Sequence, residues 1–197
     1  MTEAPDVEPS VVPDGEGGRS IVLIGAPGAG KSTVGAMVAR RLGMRFVDVD
    51  DVIERRAGKP ISEIFVDDGE EHFRRLEREV TLELLQGGGV VSLGGGAVMN
   101  AAIRDALAGH DVVWLKVSIT QATRRVGMNT LRPLLLGNVR SRLVALLKER
   151  TPVSEQCATV VVDTDGLKAR QAARQVVEAL TGRVAAADAD DETDPPD

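Results

Sequence analysis

The chain has almost no aromatic side chains, and it contains no tyrosine at all. Aromatic residues make up 2% of its 197 residues, as Trp114 and three phenylalanines. Because hydrophobic residues still reach 43%, the core must be built from Val, Leu, Ile and Ala. Any ligand that stacks on an aromatic ring has only Trp114 and the phenylalanines available.

Cysteine and long apolar runs are also scarce. Cys157 is the one cysteine, so an internal disulfide is excluded, and its apolar neighbours predict a buried structural thiol. No apolar run approaches the roughly 18 residues of a membrane-spanning helix, and the N-terminus lacks a basic segment followed by an apolar one. These features predict a cytoplasmic protein without a membrane partner.

Basic residues are missing from both ends of the chain. Residues 1–18 hold five acidic side chains and residues 184–197 hold six, with no basic side chain in either segment. We predict that both segments are disordered acidic tails. The single domain predicted between them, residues 19–183, has a net charge of +5, which suits a site for phosphates and a carboxylate. It has no dense basic stripe, so we expect no nucleic-acid partner. We also predict a monomer.

Short runs rich in Val, Ile and Leu alternate with helical segments along this domain. The runs predict five buried strands, at residues 20–25, 46–50, 90–92, 111–117 and 159–163. Apolar residues at helical spacing, with Asn100 as one cap, predict helices at residues 31–42, 70–86, 101–108 and 167–180. This alternation is typical of an α/β fold with a parallel sheet, whose ligands bind at the carboxyl ends of the strands.

The strongest motif is Gly25-Ala26-Pro27-Gly28-Ala29-Gly30-Lys31-Ser32, placed between the first strand and the first helix. It fits the phosphate-loop pattern G-x-x-x-x-G-K-S/T, in which glycines let backbone N–H groups face phosphate oxygens. The lysine reaches the outer phosphates, and the serine hydroxyl can bind magnesium. We therefore predict binding of ATP with Mg²⁺ at Gly28, Ala29, Gly30, Lys31, Ser32 and Thr33.

A phosphate loop by itself leaves the class of protein open. The guanine-reading N-K-x-D motif of a regulatory GTPase is absent. A kinase needs a carboxylate that orients the acceptor hydroxyl or takes its proton, and Asp50, predicted at the end of the second strand, has a suitable position. Asp48, predicted on the same face of that strand, is the candidate to hold magnesium through water. Helix capping or a solvated turn is the alternative role of both aspartates.

Several later segments, taken in order, resemble the shikimate kinase family. They are Asp48-Val49-Asp50, Gly69-Glu70 ahead of Phe73-Arg74-Arg75-Leu76-Glu77, Ser92-Leu93-Gly94-Gly95-Gly96-Ala97, and Asn129-Thr130-Leu131-Arg132-Pro133-Leu134-Leu135. The resemblance covers about residues 20–180. It implies a three-layer P-loop kinase fold of the nucleoside-monophosphate-kinase-like type. Its five-stranded parallel sheet, in the order 2-3-1-4-5, is flanked by helices, and a mobile lid spans about residues 127–140.

The resemblance also implies a reaction and the residues that carry it. ATP would phosphorylate the 3-hydroxyl of shikimate, with Lys31, Asp50 and Arg132 as catalytic residues. Arg132, in the lid, and Arg125, beside the adenine, would join the nucleotide site. The residues implied to bind shikimate are Asp50, Phe65, Phe73, Arg74, Gly94, Gly95, Gly96 and Arg150. Surface arginines, a tight glycine turn and core phenylalanines are the alternative interpretations of these residues.

The chain departs from the family pattern at three places, and other functions stay open. Val153-Ser154 stands where the family commonly has Leu-Tyr, and Gly127-Met128 stands where it often has two glycines. Thr164-Asp165-Gly166, the adenine-side loop after the last strand, matches no motif of the family. The nearest alternative is a sugar-acid kinase such as a gluconate kinase. A nucleotide-dependent regulatory protein and a catalytically inactive paralogue are the others. Phosphoryl transfer that depends on shikimate would separate the kinase from all three.

Overall fold

The structure is a computed structural model that describes residues 18–127 and 139–191. Most of the predicted lid, including Arg132, lies outside the described residues, as do residues 1–17 and 192–197. Within the described ranges, no helix combines the length and the apolar character needed to cross a membrane.

Five parallel strands form one sheet. They are β1 (Ser20–Ile24), β2 (Phe46–Asp48), β3 (Gly89–Ser92), β4 (Asp111–Lys116) and β5 (Val160–Asp163). Their spatial order is β2-β3-β1-β4-β5, which confirms the predicted order. In the central strand, Leu23 lies opposite Ser92 of β3 and Val113 of β4. Parallel neighbours require crossover connections, and helices supply them here.

Eight α-helices join or follow the strands within the described residues. They are α1 (Lys31–Leu42), α2 (Val49–Ala57), α3 (Ile61–Asp67), α4 (Gly69–Gln86), α5 (Ala101–Ala106), α6 (Ile119–Gly127), α7 (Val139–Cys157) and α8 (Ala169–Asp191). The sequence predicted α1, α4, α5 and α8, and the side chain of Asn100 caps α5 as expected. Helix α8 continues to Asp191, through the alanines of the segment predicted to be a tail, and alanine is the strongest helix former.

Helices α2, α3, α6 and α7 were not predicted, and α7 shows why. It contains Pro152, which usually marks the end of a helix. Its Leu143 joins the core on one face of the sheet, whereas Val153 and Cys157 pack against the core on the other face. A helix that contacts two cores does not need one apolar stripe, so the periodicity in its sequence is weak.

The core lies on both faces of the sheet because successive side chains of a strand point to opposite sides. Ile21 and Leu23 of β1 pack with α1 and α8, whereas Val22 and Ile24 pack with α2, α4 and α5. All of the strands are parallel, so their carboxyl ends share one edge, where ligands bind in such folds. The phosphate loop follows β1 at that edge, and Gly94–Gly96 follow β3.

One prediction at this edge is wrong. Strand β2 ends at Asp48, and Asp50 lies in the first turn of α2, so the two aspartates do not share a strand face. Asp48 Oδ1 accepts a hydrogen bond from the Asp50 N–H at 3.0 Å. This bond caps α2, because the first N–H groups of a helix have no partner within it. The chain therefore turns from strand to helix two residues earlier than the sequence suggested.

Candidate active site

The phosphate loop is held in a curled backbone conformation. Gly28 and Gly30 have φ angles of 81° and 93°, a left-handed region that other residues rarely adopt. Lys31 is 8% exposed, and its Nζ donates to the Gly25 carbonyl oxygen at 2.9 Å, so its ammonium group lies over the loop. Ala29 is buried, whereas Ser32 and Thr33 are exposed in the first turn of α1. The loop can therefore present its N–H groups and a positive charge to phosphates.

Ser32 and Asp48 lie together, as a magnesium site would require. The Ser32 hydroxyl donates to Asp48 Oδ2 at 2.6 Å, while the other carboxylate oxygen of Asp48 caps α2. Magnesium prefers oxygen ligands and commonly uses one or two carboxylates together with substrate phosphates. These two side chains fit that donor set. Capping and metal binding are therefore compatible roles for Asp48.

A cavity of about 700 Å³, which we call the central cavity, opens beside the phosphate loop. It brings together Asp50, Arg74 and Arg150, which come from α2, α4 and α7. The other predicted site residues that line it are Ser32, Asp48, Phe65, Phe73, Gly94, Gly95 and Gly96. The residues that the sequence predicted to bind the acceptor thus line one cavity next to the phosphate loop.

Arg74 is held by two carboxylates of its own helix. Its Nη1 lies 2.6 Å from Glu77 Oε2, and its Nη2 lies 3.1 Å from Glu70 Oε1. Burial opposes the charge of Arg74, but Glu77 and then Glu70 outweigh it, so the pKa of Arg74 is raised. Arg75 instead pairs with exposed Glu71, as expected for neighbours that leave a helix about 100° apart.

Glu77 is a site residue that the sequence interpretation missed. It is 2% exposed and lines the central cavity. One of its carboxylate oxygens holds Arg74, and the other, Oε1, has no hydrogen-bond partner among the described residues. The feature of the sequence that could have identified Glu77 is its position three residues after Arg74, which places both side chains on one face of the helix.

Arg150 reaches the central cavity from α7. Its Nη1 donates to the Gly95 carbonyl oxygen at 2.7 Å, while its buried Nε has no hydrogen-bond partner among the described residues. Burial, and then the positive charge of Arg74, lower the pKa of Arg150. Two cations that face one cavity attract an anion, since it would relieve their mutual repulsion.

The three glycines after β3 each leave room for a different part of the site. A Cβ atom on Gly94 would meet Glu77 Oε1, and one on Gly96 would lie 2.7 Å from Arg74 Nη1. A Cβ atom on Gly95 would lie 3.2 Å from Cδ of Pro27, in the phosphate loop. The triplet is therefore more than a tight turn, because each missing side chain permits a close approach within the site.

The two phenylalanines form one wall of the central cavity. The rings of Phe65 and Phe73 lie 4.7 Å apart at their centroids. Phe73 is 4% exposed and belongs to the core beneath α4, and the Arg74 guanidinium carbon lies 5.3 Å from its ring centroid. Phe73 thus lines the cavity and also belongs to the core, and Phe65 lines the cavity while packing at the edge of the core.

Arg125 lies on the other side of the phosphate loop. Its guanidinium donates to the carbonyl oxygens of Gly28, at 3.3 Å, and Thr164, at 2.9 Å. Hydrogen bonds from the Ser118 side chain and then from its N–H lower the pKa of Asp165, and the charge of Arg125 acts in the same direction. The contacts with Thr164 anchor Arg125 to the loop after β5, where the sequence offered no motif.

The departure at Val153-Ser154 lies close to the site. Val153 packs beside the core, while Ser154 is buried and lines a cavity of about 20 Å³ together with Pro27, Gly95 and Arg150. Cys157, one turn further along α7, is half-buried, and this burial raises the pKa of its thiol. A raised pKa favours the unreactive thiol form, in keeping with the structural role predicted for it.

Comparison with known proteins identifies close relatives. The family model described as shikimate kinase matches residues 27–181. A shikimate kinase of Thermobifida fusca is 55% identical over 160 residues, which cover 81% of this chain and 93% of that protein. One of Mycobacterium avium is 50% identical over 170 residues, covering 85% and 94%. The solved structure of shikimate kinase from Acinetobacter baumannii in complex with shikimate superposes with a TM-score of 0.80 at 35% identity, covering 84% and 94%.

Proposed function

The chain belongs to the shikimate kinase family, and on that basis we propose that its central cavity holds shikimate against Asp50, Arg74 and Arg150. The reaction is the transfer of the γ-phosphoryl group of ATP to the 3-hydroxyl of shikimate. The products are shikimate 3-phosphate and ADP, and the step belongs to the chorismate pathway of aromatic amino-acid biosynthesis. The sugar-acid kinase considered above is therefore set aside.

The acceptor carboxylate binds to the two arginines. A guanidinium is a planar donor whose geometry matches a carboxylate. Arg74 keeps its orientation through Glu77, and Arg150 is anchored by its bond to the Gly95 carbonyl oxygen. Gly94, Gly95 and Gly96 leave the backbone open to a substrate oxygen, and Phe65 and Phe73 form an apolar wall. These contacts hold the two arginines in place, and a fixed donor loses less conformational entropy when it binds a ligand.

The acceptor hydroxyl is oriented by Asp50, at the start of α2. Its carboxylate lies near the same glycine as Glu77, since a Cβ atom on Gly94 would be 3.1 Å from Asp50 Oδ1. We assign Asp50 the role of accepting the hydroxyl proton as the oxygen attacks phosphorus. Burial between the phosphate loop and the glycine triplet limits competition from water.

The transferred phosphoryl group is stabilised by charge. Lys31 exchanges its contact with the Gly25 carbonyl for the outer phosphates, and the loop N–H groups bind phosphate oxygens. Ser32 and Asp48 would hold magnesium, which neutralises phosphate charge when bound. We propose that Arg132 is the cation that approaches the transferring phosphoryl group. We also propose that Arg125 packs beside the adenine. The single observation that supports the whole assignment best is the convergence of Asp50, Arg74 and Arg150 in one cavity.

A coupled assay of ADP release tests this function directly. The purified protein should release ADP from ATP and Mg²⁺ when shikimate is present and only slowly without it. Gluconate and other hydroxy acids serve as control acceptors, and the Lys31→Ala variant serves as the inactive control. Turnover with another acceptor but none with shikimate would refute the proposal, whereas slow ADP release unaffected by any acceptor would indicate a regulatory nucleotide hydrolase.

The cellular setting is a further proposal. We propose a cytoplasmic monomer without membrane or nucleic-acid partners, supported by the single cysteine and by the absence of a basic stripe in the sequence. Light scattering coupled to size-exclusion chromatography measures the oligomeric state, and a mass near twice 20.9 kDa would contradict the monomer.

A further inference from the structure

Pro27 is a residue of the phosphate loop that phosphate binding does not explain. The loop acts by presenting backbone N–H groups to phosphate oxygens, and proline has no N–H group to present. Pro27 is buried, and its ring points at the glycine triplet of the neighbouring strand connection. Its Cδ and Cγ atoms would lie 3.2 and 3.4 Å from a Cβ atom built on Gly95. The ring thus packs in the space that a side chain of residue 95 would otherwise fill.

Gly95 contacts the acceptor half of the site through its other side. Its carbonyl oxygen accepts the 2.7 Å hydrogen bond from Arg150 Nη1. The positive charge of Arg74, in the same cavity, also repels the charge of Arg150. A continuous set of contacts therefore runs from the phosphate loop through Pro27 and Gly95 to the cation assigned to the acceptor carboxylate.

This set of contacts has room to shift. A cavity of about 20 Å³ lies where the Pro27 ring, Gly95 and Arg150 meet, and Ser154 also lines it. Such a volume is about the size needed for one water molecule, so the Gly95 peptide can move slightly without opening the core. A movement of the phosphate loop when it binds a nucleotide would pass to Gly95 by direct contact, since the proline ring is rigid.

We propose that Pro27 is a positioning residue that couples the two substrates. Nucleotide in the phosphate loop sets the position of Gly95 through the Pro27 ring, and Gly95 sets the position of Arg150 through its carbonyl oxygen. Any effect of one bound substrate on the affinity for the other therefore passes through Pro27. The inference rests on the proposed function, because it takes Arg150 to bind the acceptor carboxylate. Linkage requires the effect to be equal in both directions.

Isothermal titration calorimetry on the full chain measures this coupling. The dissociation constant of shikimate is determined with and without saturating ADP and Mg²⁺, and that of ADP with and without saturating shikimate. We expect each ligand to lower the Kd of the other by about fivefold or more, the lower range of common coupling factors. For each ligand, the coupling ratio is its Kd without the other ligand divided by its Kd with the other ligand. The two coupling ratios must agree, and this agreement checks the measurement itself.

The Pro27→Ala variant should bring both ratios below about twofold, since it removes the ring but keeps a backbone that can bind phosphate. Pro60→Ala is the matched control, because Pro60 also lines the central cavity, whereas the protein atoms nearest a Cβ on Gly95 all belong to Pro27. The control should keep the wild-type ratio even if its affinity for shikimate changes. A purely structural role of Pro27 would alter stability or single affinities, but not the ratio.

Gly95→Ala tests the same contact from its other side, in case Pro27→Ala does not fold. The added methyl group would press on the proline ring, so both ligands should bind at least about threefold more weakly. The coupling is refuted by a wild-type ratio near one, by a Pro27→Ala ratio equal to the wild type, or by unchanged affinities in Gly95→Ala. If shikimate does not bind to the wild-type protein at all, the proposed function fails and the coupling fails with it.

Discussion

The phosphate loop and the central cavity are adjacent but are built in different ways. The loop is one continuous segment, and it acts mainly through backbone N–H groups and glycine conformations. The cavity is assembled from α2, α3, the first half of α4, the connection after β3 and the middle of α7. It acts through charged side chains that hold each other in place. A site made of backbone depends on local geometry, whereas a site made of distant side chains depends on the packing of the whole fold.

This contrast predicts that a change in the cavity can stop the reaction without disturbing the nucleotide. Asp50→Asn keeps the shape of the side chain but cannot accept the hydroxyl proton. We expect kcat to fall by about 100- to 10,000-fold, the range attributed to a positioned general base. Calorimetry should give a Kd for ADP with Mg²⁺ within about twofold of the wild type.

Asp51→Asn is the matched control for Asp50→Asn. Asp51 is the next residue and lines the same cavity, but it is exposed. Its substitution should change kcat by less than about threefold, because exposed charges interact weakly. Equal losses in both variants would indicate that general negative charge, and not the position of Asp50, supports turnover.

Substitutions of two neighbouring arginines on α4 distinguish a residue of the cavity from a residue of the protein surface. Arg74→Ala removes a donor to the acceptor carboxylate, and a charge-assisted hydrogen bond contributes about 1.5–3 kcal/mol. The KM for shikimate should therefore rise about 10- to 100-fold while the KM for ATP changes little. Arg75→Ala, which removes only exposed contacts with Glu71 and His72, should change the KM for shikimate and the KM for ATP by less than about twofold. Similar effects of the two variants in steady-state kinetics would remove Arg74 from the site.

The glycine triplet connects the two regions, and substitution there should lower stability. Gly94→Ala would place a methyl group against buried Glu77 and 3.1 Å from Asp50 Oδ1. Such crowding typically costs about 1–3 kcal/mol of unfolding free energy, which urea denaturation measures. Gly182→Ala, at a position in α8 with nothing within 4 Å of the new Cβ atom, should instead be neutral or slightly stabilising. A stable Gly94→Ala variant would show that Glu77 can move away.

The smallest expected effect is a pH-dependent change in stability at Asp51, which lines the central cavity. Asp51 is exposed, but partial desolvation, and then the charge of Asp48, raise the pKa of its carboxyl group, so its ionised form opposes folding. At pH 7, Asp51→Asn should therefore be more stable than the wild type, by less than about 0.5 kcal/mol after solvent screening. The gain should disappear as the pH falls below about 3.9, where the carboxyl group is protonated in both states.

Asp68→Asn provides the opposite sign for this test. The hydrogen bond from Lys59 lowers the pKa of Asp68, so its charge favours folding. The wild type should be more stable than Asp68→Asn at pH values above the pKa that Asp68 has in the unfolded chain. This difference in stability should disappear as the pH falls through the lower pKa that Asp68 has in the folded protein. Thermal melts of both variants across pH 3 to 7 compare them, and the same sign for both would contradict the assigned causes.

The two regions also differ in how far sequence reasoning could go. Every residue of the phosphate loop was predicted, because its chemistry depends on spacing within one segment. Asp50, Arg74 and Arg150 were named through family resemblance, but their convergence depends on strand order and helix packing. Glu77 was missed because its spacing from Arg74 indicates a shared helix face but does not indicate burial. Helix α7 was missed because its apolar residues contact two cores.

The sequence alone determined the alternation of strands and helices, the phosphate loop and the family, since each depends on residue types at short range. Only the tertiary structure placed Asp50 in a helix turn, buried Glu77 against Arg74 and brought Pro27 to Gly95. Pro27 and Gly95 are far apart along the chain, and the burial of Glu77 depends on Gly94, which is also distant from it in sequence. These distances follow from how helices and loops pack on the sheet, which no local pattern specifies.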